Sequence, residues 1–303
     1  MKEDKNLPSL KQVQEQTLQW LHTVATVAAS VRPVPRRRLR SRASSFVLNI
    51  SDVHWGKKVR PNAARKYTYN MDVADERILS IPESVYNFMP DDVDEIRILH
   101  TGDLVDGEDI FPQQNGGLEA PLIHQTKRAV SSLWEMYNLF AKLYDVPVVA
   151  DFVPGNHGRA SKTAHASSNW DNAICQSLSF ISASSDKYDI VVNPYYDSFN
   201  LVPVKDKIIA MNHYGLLHLG TPAMQKKFAG WILSKDFDLL AHGHWHQWQI
   251  GTFANRVMFS NGSVCGPDDL SEDIAREENP RQGAFIVTSG EPISSFFSIE
   301  WQV

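Results

Sequence analysis

Five short clusters of metal-seeking side chains punctuate this chain, and each follows directly on an apolar run. They are Asp52-Val53-His54, Gly102-Asp103-Leu104-Val105-Asp106, Gly155-Asn156-His157, His213, and Gly243-His244-Trp245-His246. Carboxylates, imidazoles and an amide are the oxygen and nitrogen donors that suit divalent cations. The apolar runs over 46–50, 96–99, 146–149 with 152–153, 208–211 and 238–241 read as buried strands. Helical patterns over 74–88, 126–144, 169–183 and 222–234 separate them. Strands alternating with helices predict an α/β sheet. Every cluster then falls at the C-terminal end of a strand, where open α/β sheets gather their ligands. Three more strands, 257–260, 284–287 and 296–299, are expected beyond the last cluster, separated by turns. There is no internal repeat.

The first 45 residues read differently from the rest. Leu10, Val13, Leu21, Val24 and Ala28 recur at near-helical spacing, so 9–29 is expected to be a helix. Arg32-Pro33-Val34-Pro35 ends it, because proline lacks the donor and restricts the residue before it. Five arginines between 36 and 42 follow. The division is therefore an N-terminal helix and basic linker, 1–45, and one large domain, 46–303. Residues 1–66 hold 14 Lys/Arg against 4 Asp/Glu, and the remainder 16 against 31. Such asymmetry suits an anion-binding arm or a solvated tail. The N-terminal helix is a candidate for oligomer or partner contact.

No run of 18 apolar residues exists, so no membrane span is expected. Glu3, Asp4 and Glu15 at the start do not resemble the basic opening of a signal peptide. The two cysteines, Cys175 and Cys265, have no disulfide or metal spacing and fit a reducing, cytoplasmic setting.

The ordered set D-x-H, G-D-x-x-D, G-N-H, H and G-H-x-H resembles the calcineurin-like metallophosphoesterase superfamily over about residues 46–265. The resemblance implies a four-layer αββα sandwich of two mixed sheets flanked by helices. It also implies a ligand set: Asp52, His54 and His246 on one divalent metal, Asn156, His213 and His244 on the other, and Asp103 bridging them. His157 would protonate the leaving oxygen, with Asp106 orienting its ring; the bland alternative for Asp106 is a turn-capping carboxylate. Two cations about 3.5–4 Å apart can clamp the attacking and leaving oxygens of an in-line displacement and acidify a bridging water to hydroxide. Manganese is the expected metal, with iron, zinc or magnesium as alternatives, since histidine and carboxylate ligands admit them all.

The chain departs from the family pattern in two places. Gly158 and then Arg159 follow Gly155-Asn156-His157, where many relatives have Asp or Glu. This Gly-Asn-His-Gly-Arg string is similar to phage-type members. The arginines of the Ser/Thr phosphatase branch are missing from both the second and third clusters, which argues against a phosphoprotein substrate. Arg159 is a candidate phosphate clamp, because a guanidinium offers a bidentate fork. His242 precedes the last cluster and permits a rival reading, 242–244; a glycine before the first ligand histidine favours 243–246.

Lys57, Lys58, Arg60, Arg65 and Lys66 follow the first cluster, so this loop is expected to neutralise flanking phosphates. Trp55, Trp245, Trp248 and Tyr214 lie in or near ligand loops and can stack nucleobases or line the pocket. The expected activity is dimetal phosphodiester hydrolysis, foremost a nuclease on DNA or RNA. The alternatives are a phosphomonoesterase for nucleotides or phosphoproteins, and a catalytically silent scaffold on the same fold.

Overall fold

The computed structural model describes residues 44–303 apart from 64, 112, 113, 166 and 294. The predicted N-terminal helix and linker lie outside the described residues, save Ser44 and Ser45, which open the first strand. The strands in chain order are β1 (Ser44–Ile50), β2 (Val93–His100), β3 (Val148–Phe152), β4 (Ile190–Asn193), β5 (Phe199–Val204), β6 (Lys207–Asn212), β7 (Leu239–His242), β8 (Gln249–Phe253), β9 (Arg256–Ser260), β10 (Arg281–Thr288) and β11 (Phe296–Glu300). The helices are α1 (Met71–Ser84), α2 (Leu122–Tyr144), α3 (Trp170–Ala183), α4 (Pro222–Lys235) and the short α5 (Asp269–Asp273).

Two sheets form, with strand orders β11-β10-β1-β2-β3-β4 and β5-β6-β7-β9-β8. β1 to β4 run parallel, as do β6, β7 and β9; the remaining pairings are antiparallel. Strand periodicity explains the layering. Phe46, Leu48 and Ile50 on β1 enter the core shared with α1, α2 and α3, whereas Val47 between them points to the second sheet. Ile209 and Met211 on β6 meet Val47, Leu99 and Phe285 in the core between the sheets. Ala210 and Leu240 face the other way, onto Phe228 of α4 and Phe237. Three apolar cores therefore separate four layers, helices–sheet–sheet–helix, as expected from the sequence.

The helices have ordinary local causes. Asn70, Asn169 and Thr221 cap α1, α3 and α4 by accepting from Val73, Asp171 and Met224 backbone N–H groups. Among the described residues no helix is long and apolar enough to cross a membrane. Cys175 and Cys265 are both buried and unbridged.

Candidate active site

The loops leaving β1, β2, β3, β6 and β7 converge at one edge of the sandwich. Their backbone is unusual: Asp52, His54, Asp103, His244 and His246 have φ of 52°, 54°, 53°, 76° and 54°. Left-handed backbone at a non-glycine residue costs about 1–3 kcal/mol and persists only where its surroundings hold it. Here the first two loops are zipped together. Asp52, His54 and Trp55 donate backbone N–H bonds to Gly102, Asp103 and Leu104 carbonyls, and Asp106 N–H returns one to Trp55, all at 2.8–3.0 Å. The third loop presses closer still. A Cβ on Gly155 would lie 2.1 Å from Asp103 Oδ1, so only glycine fits there.

Three sets of donor atoms, each within a 4.8 Å span, result: Asp52/His54/His246, Asp103/His213/His244 and His54/Asp106/His157. His54 Nε2 lies 3.2 Å from His246 Nε2, which is 3.3 Å from Asp52 Oδ1. His213 Nε2 lies 3.0 Å from both Asp103 Oδ2 and Asn156 Oδ1. These distances bring all seven sequence-predicted ligands to one place. His242 is buried at the end of β7 and belongs to none of the three sets, in line with the 243–246 reading.

Asp106 serves two rings. Its Oδ1 lies 3.1 Å from His54 Nδ1 and 3.3 Å from His157 Nδ1. His157 Nδ1 is also 3.0 Å from the Asp106 carbonyl. With Nδ1 of both rings turned toward Asp106, the remaining nitrogens, Nε2, are the ones available for outward chemistry. Gln114 adds a brace by donating from its amide to the Asp106 carbonyl.

Charge and burial sort these groups. Burial pushes the Asp103 carboxyl up, but His213 and His157 outweigh it and hold it well below the usual range. Asp52 is likewise raised by burial yet brought to about 2 by His246. Burial and the charge of His157 bring His54 down to about 4, and burial with His213 does the same to His244. Both rings therefore keep free lone pairs at neutral pH. Burial lowers His213, but Asp103 beside it prevails and lifts it to about 9. His157 is also raised, since Asp103 and Asp106 outweigh its burial. Ionised carboxylates, the neutral His54 and His244 rings and an amide oxygen are a donor set that fits divalent cations, and a cation beside Asp103 would take the place of the His213 proton.

Sequence reasoning missed the groups behind this surface. Asp171, the second residue of α3, accepts backbone N–H bonds from Asp103, Leu104 and Gly155 at 3.0, 3.2 and 2.8 Å. It enters the space beside Gly158, where an added Cβ would lie 2.4 Å from Asn169 Oδ1 and 3.2 Å from Asp171 Oδ1. The glycine that departs from the family pattern thus leaves room above all for the Asn169 cap of α3, with the Asp171 carboxylate just behind it. Gln282 and Asn261 brace the first loop: Ser51 N–H donates to Gln282 Oε1, and Asn261 Nδ2 donates to Ser51 Oγ.

The expected substrate residues fare unevenly. Trp55 is a correction: it is fully buried, with its indole N–H on Asp75 Oδ1 at 2.9 Å, and presents no face to a base. The short bridge between Trp55 and Val105 turns it inward. Lys57 is a second correction, because its ammonium is paired with Asp268 ahead of α5. Arg65 pairs with Asp269 and Glu272, so much of the basic loop is neutralised internally. Lys58 remains exposed. Arg159 donates to the Asn156 carbonyl at 2.9 Å, beside the site. Tyr214, 43% exposed, packs against the His213 and His244 rings. Trp245 carries Arg276 over its ring, and Trp248 packs on Phe259.

The profile of the calcineurin-like phosphoesterases matches residues 47–248. The chain belongs to the calcineurin-like phosphoesterase family. That span takes in all five clusters. Among solved structures, this family member is similar to an archaeal phosphodiesterase at 15% identity and a TM-score of 0.42, with 84% of this chain and 99% of the other covered. It is also similar to a predicted phosphoesterase of Streptococcus pneumoniae (10% identity, TM-score 0.36, 85% and 98% covered). A third likeness is to the zinc complex of Vps29 from Entamoeba histolytica (13% identity, TM-score 0.37, 84% and 98% covered). A search of curated protein sequences found no match.

Proposed function

We propose that this phosphoesterase hydrolyses phosphodiesters with two divalent cations, one held by Asp52, His54 and His246 and the other by Asn156, His213 and His244, with Asp103 between them. The observation that carries the reading is the convergence of these seven donors on one edge of the two sheets. When bound, the cations supply electrophilic activation of the phosphoryl group and acidify a water. Manganese is the metal to try first.

The protein's own groups do the rest. Asp106 orients His54 through Nδ1 and also holds His157. Its charge, with that of Asp103, favours the protonated His157 ring. His157 is therefore set to give a proton to the departing alkoxide, a contribution of about 10²–10⁴-fold. Arg159, whose Nε donates to the Asn156 carbonyl, would offer its other guanidinium N–H groups to a non-bridging phosphate oxygen. The missing phosphatase arginines favour a diester over a phosphoprotein monoester.

Nucleic acid is the substrate class we propose, on Arg159, exposed Lys58 and exposed Tyr214. Lys57 and Trp55 no longer contribute to it. The test is a panel with Mn²⁺: single- and double-stranded DNA, RNA, cyclic nucleotides, a bis-aryl phosphodiester and an aryl phosphomonoester. Turnover of diesters above the monoester is expected. A strong monoester preference, or no turnover of any ester, overturns the proposal.

A further inference from the structure

Phe111 is a large apolar side chain that the fold leaves 37% exposed beside the proton donor. Its ring centroid lies 4.6 Å from that of His157, at an interplanar angle of 41°. The position is built. Ile110 before it is buried, and Gln114 Oε1 accepts from the Ile110 and Phe111 backbone N–H groups at 2.8 and 3.2 Å. The same Gln114 donates to the Asp106 carbonyl that fixes His157. One side chain thus sets both the acid and the aromatic ring next to it.

We infer that Phe111 selects the leaving group, favouring phosphodiesters whose departing alcohol carries a flat, uncharged aromatic ring such as a nucleoside or aryl group. The inference rests on the reading of His157 as the acid. An oxygen taking a proton from His157 sits within hydrogen-bond reach of it, at about 3 Å. The substituent on that oxygen must then pass Phe111, where an aromatic face gains most by stacking. Tyr214, the other exposed aromatic ring at the site, packs against His213 and His244 and within the field of Arg159 rather than against His157. The loop bearing Phe111 also carries Glu108, Asp109 and Glu119, which line a shallow cavity of about 420 Å³.

The step balances simply. Water adds its oxygen to phosphorus and gives up a proton to solvent, the ester P–O bond breaks, and the released oxygen takes the His157 proton; the ring is reprotonated from solvent, leaving a phosphate monoester and the free alcohol.

The experiment compares two diesters of matched leaving-group acidity, one aromatic and one fluoroalkyl, on wild type, Phe111→Ala and Phe111→Trp. The aromatic-to-alkyl ratio of kcat/KM should fall about ten-fold in Phe111→Ala, the scale of one lost stacking contact, and persist in Phe111→Trp. An equal loss for both esters makes Phe111 a mere buttress of His157 and overturns the inference alone. An unchanged ratio overturns it too. Wild type that turns over neither ester overturns the hydrolase reading and this one with it.

Discussion

At the residue scale, the site is a set of strained positions held by neighbours. Removing such a neighbour should move the ligands without touching them. Asp171→Ala leaves three buried amides without their acceptor, each at a cost of about 1–3 kcal/mol. We expect a lower urea midpoint together with weaker metal retention, read by equilibrium dialysis; unchanged retention would show that Asp103 and Asn156 hold their places unaided. His157→Gln should keep the metals and slow esters with poor leaving groups most, because activated aryl oxides depart without a proton. Equal loss across a leaving-group series would remove His157 from its role. The candidate ligands were legible because all but His213 lie in short contiguous strings after apolar runs. Asp171, Gln114 and Phe111 were not, since only the folded loops bring them to Asp103 and His157. Trp55 misled because proximity in sequence to His54 says nothing of which way the ring turns.

At the element scale, the strands with continuous apolar runs, β1, β2, β3, β6, β7, β9, β10 and β11, were all expected from the sequence. The three missed, β4, β5 and β8, are edge strands. Edges need no unbroken apolar run. β5 alternates exposed and buried residues and carries Pro203, as an edge permits. The basic loop and α5 form a further unit that the sequence hid. Lys57 and Asp268 pair with side chains only 16% and 14% exposed. Lys57→Met should therefore destabilise by about 3 kcal/mol, as for a broken buried pair. Adding Asp268→Asn should restore most of it, because asparagine still caps α5 through the Ser271 N–H. Urea denaturation checks both. A single variant with unaltered stability and a raised KM would return Lys57 to the substrate.

At the scale of the whole molecule, stability should carry the mark of His100. Burial lowers this ring to about 3, and it stacks on Phe152 with Nε2 2.6 Å from the Tyr137 hydroxyl. The folded-state value is depressed, so the contribution is complete above the ordinary value of 6.5 and is lost as pH falls towards 3. Each pH unit in that window costs about 1.4 kcal/mol. The double variant His100→Phe/Tyr137→Phe should show a shallower acid limb between pH 6 and 4 (on the order of that per-unit cost); an identical limb would mean His100 is already protonated in the fold. Cations that bind only the folded protein raise its melting temperature. Chelation should therefore lower Tm in wild type.

The central claim is two cations about one shared carboxylate. Metal content by elemental analysis, on protein prepared with Mn²⁺ and freed of unbound ion, tests it most directly. The account predicts two ions per chain in wild type and loss of both together in Asp103→Asn. Wild type holding none, or Asp103→Asn retaining both, would contradict it.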